Sequence, residues 1–297
     1  MPLRKLADEY GFSPAKTYRK VIAELNQLPE NTWITKEYCN RWSGRLVVDG
    51  KFVKVKKYEK KIPFIYGIDF LTHDIPLGML FPSENEEAFA KFFAILKHCY
   101  YPLQIVVSDD ANGLISGLKR VYPKARRQLC QNHYLENIRQ QLKIRTEKKY
   151  QPFFFSLHNI FNGNYHHFKR EAMLRYLWHT YAKHDPILEC ILVDVLKRYT
   201  ELFAYDNKIK HCPRTTNIIE SYNSHLNGRL KTIKGFQSFH SAQRWLNAWM
   251  IRRRTKPFTD CDKPFKHLNG KCSLEMSIKK QAEWPVIFGV QEPEMKR

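Results

Sequence analysis

The strongest constraint on the fold is the order of apolar segments in the first half of the chain. Five segments are rich in β-branched and aromatic residues and short enough to be strands: 46–48, 52–55, 62–70, 103–107 and 125–129. Helical periodicity separates the last three of these segments, over 86–98 and 113–121. The chain is therefore predicted to form three successive strands in an antiparallel meander, then a helix, a strand, a helix and a strand.

The first of these helices has one strongly apolar face. Phe89, Phe92, Phe93 and Leu96 recur at helical spacing, so they are predicted to pack in the core. The segment Ser83-Glu-Asn-Glu86 has the spacing of a capping box, which predicts the start of the helix.

The middle of the chain has a different character. Residues 131–210 are helical in pattern and rich in aromatic side chains, and two further helices are predicted over 216–230 and 239–253. The order of strands and helices before them is that of the ribonuclease H-like fold. The predicted class is thus α/β, a mixed ribonuclease H-like sheet with a large all-helical insertion at about 131–212.

Acidic residues occupy special places in this pattern. Asp49 ends the segment Arg45-Leu-Val-Val-Asp49, Asp109 ends Ile105-Val-Val-Ser-Asp109, and Glu220 lies near the start of a predicted helix. Two carboxylates at strand ends and one from a packed helix can hold divalent metal, and two-metal sites cleave or join phosphodiesters. Simpler alternatives remain, because Asp49 could cap a turn before Gly50, Asp110 could replace Asp109, and Glu220 could be an ordinary exposed helix residue.

The charge of the chain indicates the class of partner. Lysine and arginine outnumber aspartate and glutamate by 50 to 29, a net charge of +21, which favours a polyanion such as nucleic acid. A basic charge that serves only solubility is the alternative. The aromatic content of 14% and the hydrophobic content of 43% argue against a disordered basic tail.

Cysteine usage and hydropathy bear on the compartment. The seven cysteines are scattered and include no Cys-x-x-Cys pair, which predicts neither a disulfide framework nor a zinc ribbon. No apolar run has the length of a membrane span, and no apolar stretch marks a signal peptide. The expected location is the cytoplasm of a prokaryote, in association with the nucleoid, with no membrane partner.

The N-terminal segment resembles a helix-turn-helix. Two short helical patterns flank Gly11, and Ser13 and Pro14 suit the N-cap and first position of the second helix. That helix carries the predicted DNA-binding side chains Lys16, Tyr18, Arg19 and Lys20. An ordinary helical hairpin is the alternative, and residues 29–44 are predicted to be a linker.

Longer motifs carry a family resemblance. Val121-Tyr-Pro-Lys-Ala, Cys130-Gln-Asn-His133 and Thr216-Asn-Ile-Ile-Glu220-Ser, together with the segment around Asp109, resemble the Mutator-like transposases and their bacterial insertion-sequence relatives. The resemblance covers about residues 45–257. It implies that Asp49, Asp109 and Glu220 form a catalytic Asp-Asp-Glu triad that binds Mg²⁺ or Mn²⁺.

The pair Cys130 and His133 lies one helical turn apart. The resemblance implies that it stands at the start of the helical insertion, beside the active site. A buried structural pair is one alternative. A zinc half-site is another, and it needs further ligands from His98 and Cys99 or from His211 and Cys212.

Basic residues near the last two predicted helices are further candidates for DNA contact. Arg229 and Lys231 follow Glu220 on its helix, and Arg252, Arg253 and Arg254 end the next helix after two tryptophans. A cationic helix C-terminus stabilised by the helix dipole is the alternative.

The predicted domains are a helix-turn-helix-like segment and linker over 1–40, a catalytic domain over 41–257 and a C-terminal tail over 258–297. The resemblance implies an insertion-sequence DNA transposase that cleaves the inverted repeats at its element's ends and joins the 3′-hydroxyls to target DNA. A homodimer or higher assembly is expected, because two ends must be brought together. The alternatives are a domesticated or truncated DNA-binding protein without catalysis and a ribonuclease H-like nuclease.

Overall fold

The computed structural model describes residues 3–111, 113–206 and 211–280. The chain divides into two compact units. Unit 1 comprises Met1–Val106, Ala111–Ala125 and Asn217–Arg297, and unit 2 comprises Val107–Asp110 and Arg126–Thr216.

Three helices begin unit 1: α1 (Leu3–Glu9), α2 (Pro14–Gln27) and α3 (Asn31–Tyr38). The predicted cap of α2 is confirmed, because the Ser13 side chain accepts a hydrogen bond from the amide of Lys16. The linker predicted over 29–44 is wrong in its first half. Its residues form α3, whose Ile34 is fully buried against Ile251 and Leu274, so distant residues stabilise a helix that local pattern did not indicate.

Five strands form one sheet within the described residues, in the order β3-β2-β1-β4-β5. Their bounds are β1 Arg45–Val53, β2 Ile62–Asp69, β3 Leu77–Leu80, β4 Ile105–Ser108 and β5 Arg126–Leu129. Strand β2 pairs antiparallel with both β1 and β3. The Gly44 carbonyl accepts hydrogen bonds from the amides of Gln104 and Ile105, so β1 and β4 start together and run parallel. The α/β class with a mixed sheet is therefore confirmed.

Two details of the sheet differ from the prediction. The segments 46–48 and 52–55 belong to a single strand, β1, so Asp49 lies inside a strand and pairs across it with Tyr66. The third antiparallel strand is β3, which was not predicted. Its Gly78 has no room for a Cβ, since such an atom would meet the Met250 sulfur at 2.5 Å, and this packing is invisible in a local pattern.

Helices α4 (Glu86–His98) and α5 (Leu114–Val121) form as predicted and share a core with apolar side chains of β1 and β2. The four predicted apolar side chains of α4 are all buried. The N-cap of α4 is Asn85, which accepts from the amide of Ala88, so the capping box predicted from Ser83 is wrong. Ser83 instead accepts from the Asn85 side chain at 3.0 Å.

Unit 2 is helical after β5, as predicted. Its helices are α6 (Gln131–Gln141), α7 (Gln151–Asn162), α8 (His167–Thr180), α9 (Pro186–Lys197) and α10 (Tyr199–Leu202). Their apolar faces enclose one core, with Phe153 and Phe161 fully buried.

Unit 1 resumes with α11 (Asn217–Leu230), α12 (Phe239–Thr255) and α13 (Ser273–Ser277). Ser238 and Ser241 form a capping box at the start of α12. Residues 281–297 of the predicted C-terminal tail lie outside the described residues. Among the helices that the structure describes, none combines the length and apolar character needed to cross a membrane.

Candidate active site

Asp49 is held by a side chain from α11. The Asn223 amide donates to one Asp49 carboxylate oxygen at 2.5 Å, and the Tyr66 hydroxyl donates to the Asn223 carbonyl oxygen at 2.9 Å. Because Tyr66 engages the oxygen of this amide, its nitrogen is the group that faces Asp49. The backbone amide of Gly50 donates to the other Asp49 oxygen at 2.7 Å. The half-buried carboxylate therefore has a defined orientation on β1.

Glu220 lies in the first turn of the same helix, three residues before Asn223. Residues at this spacing share a helix face. Glu220 is exposed, whereas its neighbour Ile219 is fully buried. The structure thus brings two of the three predicted acids, Asp49 and Glu220, onto packed elements of unit 1, with Asn223 as the contact between those elements.

Glu84 is an acidic residue of this region that the sequence analysis missed. A Cβ on Gly50 would meet a Glu84 carboxylate oxygen at 3.3 Å, so this side chain lies beside the backbone of β1 next to Asp49. Glu84 belongs to the loop between β3 and α4. Nothing in the local sequence marks it, because the approach depends on the fold of the loop.

Asp109 directly follows β4 and lies in unit 2. Burial raises the pKa of Asp109 above its ordinary value of 3.8, although His133 and Arg127 act in the opposite direction. The Arg127 guanidinium donates to the Asp109 carbonyl oxygen at 2.7 Å and holds the backbone at this position.

The neighbouring Asp110 has a different environment. It forms ion pairs with Arg127 at 3.0 Å and with Arg198 at 2.5 Å. Burial acts to raise the pKa of Asp110, but the hydrogen bonds from these two arginines hold it below 3.8. Two guanidinium groups thus engage Asp110, and Asp109 stays the predicted metal ligand of this pair.

Cys130 and His133 lie at the start of α6, where Cys130 is the N-cap residue. The Thr216 hydroxyl lies 3.2 Å from the Cys130 sulfur and 3.4 Å from His133 Nδ1. Burial acts to raise the pKa of the Cys130 thiol, but hydrogen bonds from His133 and Thr216 lower it below its ordinary value. The two residues therefore form a connected polar cluster in unit 2.

Three of the four proposed further zinc ligands are engaged in other contacts. The His98 ring lies 3.0 Å from the Lys36 ammonium nitrogen, and the Cys99 thiol donates to the Thr32 carbonyl. The Cys212 thiol donates to the Pro213 carbonyl. These contacts do not test the zinc alternative, which stays a prediction.

The side chains predicted to contact DNA from α2 are exposed. Lys16, Arg19 and Lys20 lie on the surface of this helix, and the Tyr18 side chain is exposed as well. The ammonium groups of Lys16 and Lys20 lie 4.5 and 4.8 Å from the centre of the Phe12 ring. Contact of this surface with DNA stays a prediction.

The basic residues near α11 and α12 divide into two kinds. Arg229, Lys231 and Arg252 are exposed, and Arg253 is half-buried with its guanidinium 4.4 Å from the centre of the Tyr222 ring. Arg254 differs from the prediction, because it is fully buried and has no surface to offer to DNA.

Arg254 forms an ion pair with Asp74 at 2.7 Å, and both side chains are completely buried. The guanidinium also donates to Asn31 and Thr35 at 2.9 Å. Asp74 in turn accepts from the hydroxyls of two α13 residues. Arg254 therefore joins α3, α12 and α13 in the interior of unit 1.

Comparison with known proteins identifies relatives. The chain matches the family described as "Transposase, Mutator family" over residues 33–255. It is 25% identical over 261 residues to the transposase for insertion sequence element IS256 in transposon Tn4001, from Staphylococcus aureus and from Enterococcus faecalis, which covers 83% of this chain and 64% of each relative. It is 23% identical over 245 residues to the transposase for insertion sequence element IS1201 of Lactobacillus helveticus, covering 77% and 63%. The chain spans less than two thirds of these relatives' length.

Proposed function

Because the chain belongs to the Mutator family of transposases, we propose that it acts as a DNA transposase of an insertion sequence, which cleaves the element's ends and joins the freed 3′-hydroxyls to target DNA. The observation that carries the proposal is the contact of Asp49 with Asn223, three residues beyond Glu220 on α11. It gives a strand carboxylate and a helix carboxylate a common support within unit 1.

The proposed catalytic residues are Asp49, Asp109 and Glu220. Their donor set consists of carboxylate oxygens, which suits the hard cations Mg²⁺ and Mn²⁺. The raised pKa of Asp109 also fits a carboxylate whose buried charge a cation would balance. When bound, such metals supply an activated water or 3′-hydroxyl and stabilise the leaving oxygen.

The other residues of the site position these acids. Tyr66 and Asn223 fix the Asp49 carboxylate, so that it need not reorganise when DNA binds. Arg127 holds the backbone of Asp109 and neutralises Asp110. Cys130 and His133 shape the start of the helical region, in keeping with the role that the family resemblance implies.

The order of the sheet supports a ribonuclease H-like fold for this proposal. Three antiparallel strands precede β4, which is the neighbour of β1, and β5 completes the edge. Within this fold we propose a catalytic domain over 41–257 with an insertion at 131–212, a DNA-binding segment over 1–40 and a tail over 258–297.

The exposed cations supply the expected DNA surface. Arg229, Lys231 and Arg252 on unit 1 and the basic face of α2 can contact phosphates, which position the duplex without reading its sequence. Assembly as a dimer or larger complex on paired ends follows from the same proposal. A DNA-binding protein without catalysis and a nuclease without joining activity are the alternatives that experiment must separate.

Cleavage and strand transfer on a labelled duplex test the proposal. The duplex carries the inverted repeat that flanks the gene, and the reaction contains Mg²⁺ or Mn²⁺. We expect metal-dependent nicking and a joined product with the native chain, and loss of both with Asp109→Asn. Asp110→Asn is the matched control, because it removes the adjacent charge that two arginines already engage, and it should retain both products.

Each alternative has its own result. Cleavage without a joined product would identify a nuclease. Salt-sensitive binding without cleavage under either metal would identify a DNA-binding protein. Loss of activity in Asp110→Asn with retention in Asp109→Asn would reverse the assignment of the metal ligand.

A further inference from the structure

A cavity of about 430 Å³ lies between α2, α11 and α12 in unit 1. Its volume is within the range of about 300 to 1,000 Å³ that is typical of small-molecule sites. The residues of α11 that line it, His225 and Arg229, follow Glu220 on the same helix. With a rise of about 1.5 Å per residue, they lie roughly 7 to 14 Å beyond Glu220 along the axis. At 3.6 residues per turn they also project roughly 140° and 180° around the helix from Glu220, so the cavity, which we call the α11–α12 pocket, lies on another face of α11.

The apolar wall of this pocket contains two tryptophans. Trp245 is half-buried and rests against the Phe236 ring at 5.6 Å between centroids. Trp249 is buried at an edge-to-face angle to Tyr66, with centroids 5.7 Å apart. Tyr66 is the residue that orients Asn223 toward Asp49. The pocket wall and the candidate catalytic carboxylate therefore share a packed support.

The rest of the lining is strongly basic. Arg229, Arg252, Arg253 and Lys256 contribute four cationic side chains, and none of the described residues that line the pocket carries a carboxylate. Of these cations, Arg253 is stacked against Tyr222. Arg229, Arg252 and Lys256 are exposed. A half-buried indole ring with exposed cations around it suits a ligand that has both an aromatic face and negative charges.

We propose that the α11–α12 pocket accepts one unstacked nucleobase of a DNA strand, with the base against Trp245 and the adjoining phosphates on Arg229, Arg252 and Lys256. A nucleotide has both required features, and the net charge of +21 favours this polyanion over other aromatic ligands. The inference rests on the proposed function, since it assigns to one strand of the DNA a position on unit 1. It also gives the half-buried Trp245 ring a role beyond its packing on Phe236.

The binding of two labelled single strands to the full chain tests this inference. One is an oligothymidylate, and the other has the same length and phosphates but abasic sugars. Fluorescence anisotropy at one fixed salt concentration gives the affinities. We expect the native chain to bind the base-bearing strand more tightly. Trp245→Ala should lose roughly tenfold in affinity for that strand and leave the abasic strand unchanged, since stacking on an aromatic side chain acts on the base alone.

Three further variants separate base stacking from other effects of substitution. Trp33→Ala is the matched control, because Trp33 is 46% exposed on α3 and lies outside the pocket, and it should bind both strands as the native chain does. Trp245→Phe keeps an aromatic face and the packing on Phe236, so it should retain most of the preference for bases. Arg252→Ala should weaken both strands equally and lower the salt dependence of binding by about one unit.

Equal affinity of the native chain for the two strands would overturn the inference. So would a Trp245→Ala variant that weakens both strands to the same extent, or a Trp245→Phe variant with no preference. The test needs neither metal nor cleavage, so its outcome is separate from that of the transposase assay. If the chain cleaves and joins DNA but shows no base preference, the proposed function stands and only the base-binding role of the pocket is wrong.

Discussion

Arg254 in unit 1 and Arg127 in unit 2 are both buried, but their partners differ in access to water. The Arg254 side chain and its partner Asp74 are each 0% exposed. The Arg127 side chain is 4% exposed, whereas its partners Asp110 and Glu201 are 47% and 33% exposed. We call Arg254–Asp74 the closed pair, because both of its side chains are shielded from water. We call Arg127 with its two acidic partners the open pair, because their carboxylates are accessible to water.

The closed pair behaves as part of the scaffold. Both Asp74 oxygens accept from Arg254, and the remaining donors of the guanidinium reach Asn31, Thr35 and Cys39. A buried charge is tolerated only when it is paired and hydrogen-bonded in this way. The difference teaches that a basic run in a strongly cationic sequence need not be a ligand-binding surface, because one of its members can form an internal ion pair.

The open pair adjoins a candidate catalytic residue. Arg127 contacts Asp110 through its side chain and Asp109 through the backbone carbonyl. Water can solvate Asp110 and Glu201 when the guanidinium is absent, so the fold depends less on this link. We infer that the closed pair serves stability and the open one serves the position of Asp109.

Arg254→Ala should give the largest effect and is the first test of this contrast. It leaves Asp74 as an uncompensated buried charge, which costs about 3 to 5 kcal/mol of the free energy of unfolding. Urea denaturation followed by circular dichroism measures the loss. Arg252→Ala, two positions away and exposed, is the control and should leave the midpoint nearly unchanged. Similar midpoints for both variants would contradict the closed pair as a scaffold element.

His73 tests whether water is excluded around Asp74. Burial, with the positive charges of Arg253 and His267, lowers the pKa of His73 to about 4 from an ordinary 6.5. The unfolded chain therefore binds this proton more readily between pH 6.5 and about 4, and stability falls as the pH falls through that window. The native chain should lose about 2 kcal/mol more than His73→Asn between pH 7 and pH 5.

Asparagine is the matched substitution at this position. The φ angle of residue 73 is +56°, in the left-handed region that asparagine tolerates better than most residues. The measurement is the urea midpoint of both proteins at pH 7, 6 and 5. Parallel pH profiles for the two proteins would show that His73 is accessible to protons in the folded state.

Arg127→Ala should have a smaller effect on stability and a larger one on activity. Its acidic partners can be hydrated after the change, so we expect a loss of about 1 to 2 kcal/mol in the free energy of unfolding. Strand-transfer rate should fall by at least tenfold, because the backbone of Asp109 loses its support. The exposed Lys124→Ala is the control for both assays. A variant of Arg127 that is less stable than Arg254→Ala would reverse the comparison.

The exposed pair of Arg120 and Glu87 should contribute least to stability among the ion pairs compared here. Their atoms approach to 2.7 Å, but the side chains are 57% and 76% exposed. Solvent screens such a pair and side-chain entropy opposes it. We expect no measurable shift of the thermal midpoint in Arg120→Ala at moderate salt. A clear shift would show that burial alone does not rank the ion pairs of this chain.

Sequence reasoning was reliable where the signal is local. The bounds of α4 agree with the structure, and those of α11 and α12 agree to within two residues, because amphipathic periodicity depends on neighbours along the chain. The cap at Ser13 was found for the same reason. By contrast, α3 and β3 were missed, since short elements are stabilised by what packs on them.

The candidate site shows the same division. Sequence motifs named Asp49, Asp109 and Glu220, and they also paired Cys130 with His133, which the structure joins through Thr216. They did not single out Arg127. Its contacts with Asp110 and Glu201 join segments that are 17 and 74 residues apart, and no local pattern encodes such a pair.

The sequence by itself determined the class of fold, the order of its main elements, the acidic candidates and the family, because these depend on residue type, spacing and order. Only the tertiary structure decided which polar groups are buried and which partners they contact. It buried Arg254 against Asp74 and turned Asn223 toward Asp49. Hydrogen bonding and desolvation act over a few ångströms in space, and only the folded chain brings such distant residues within that range.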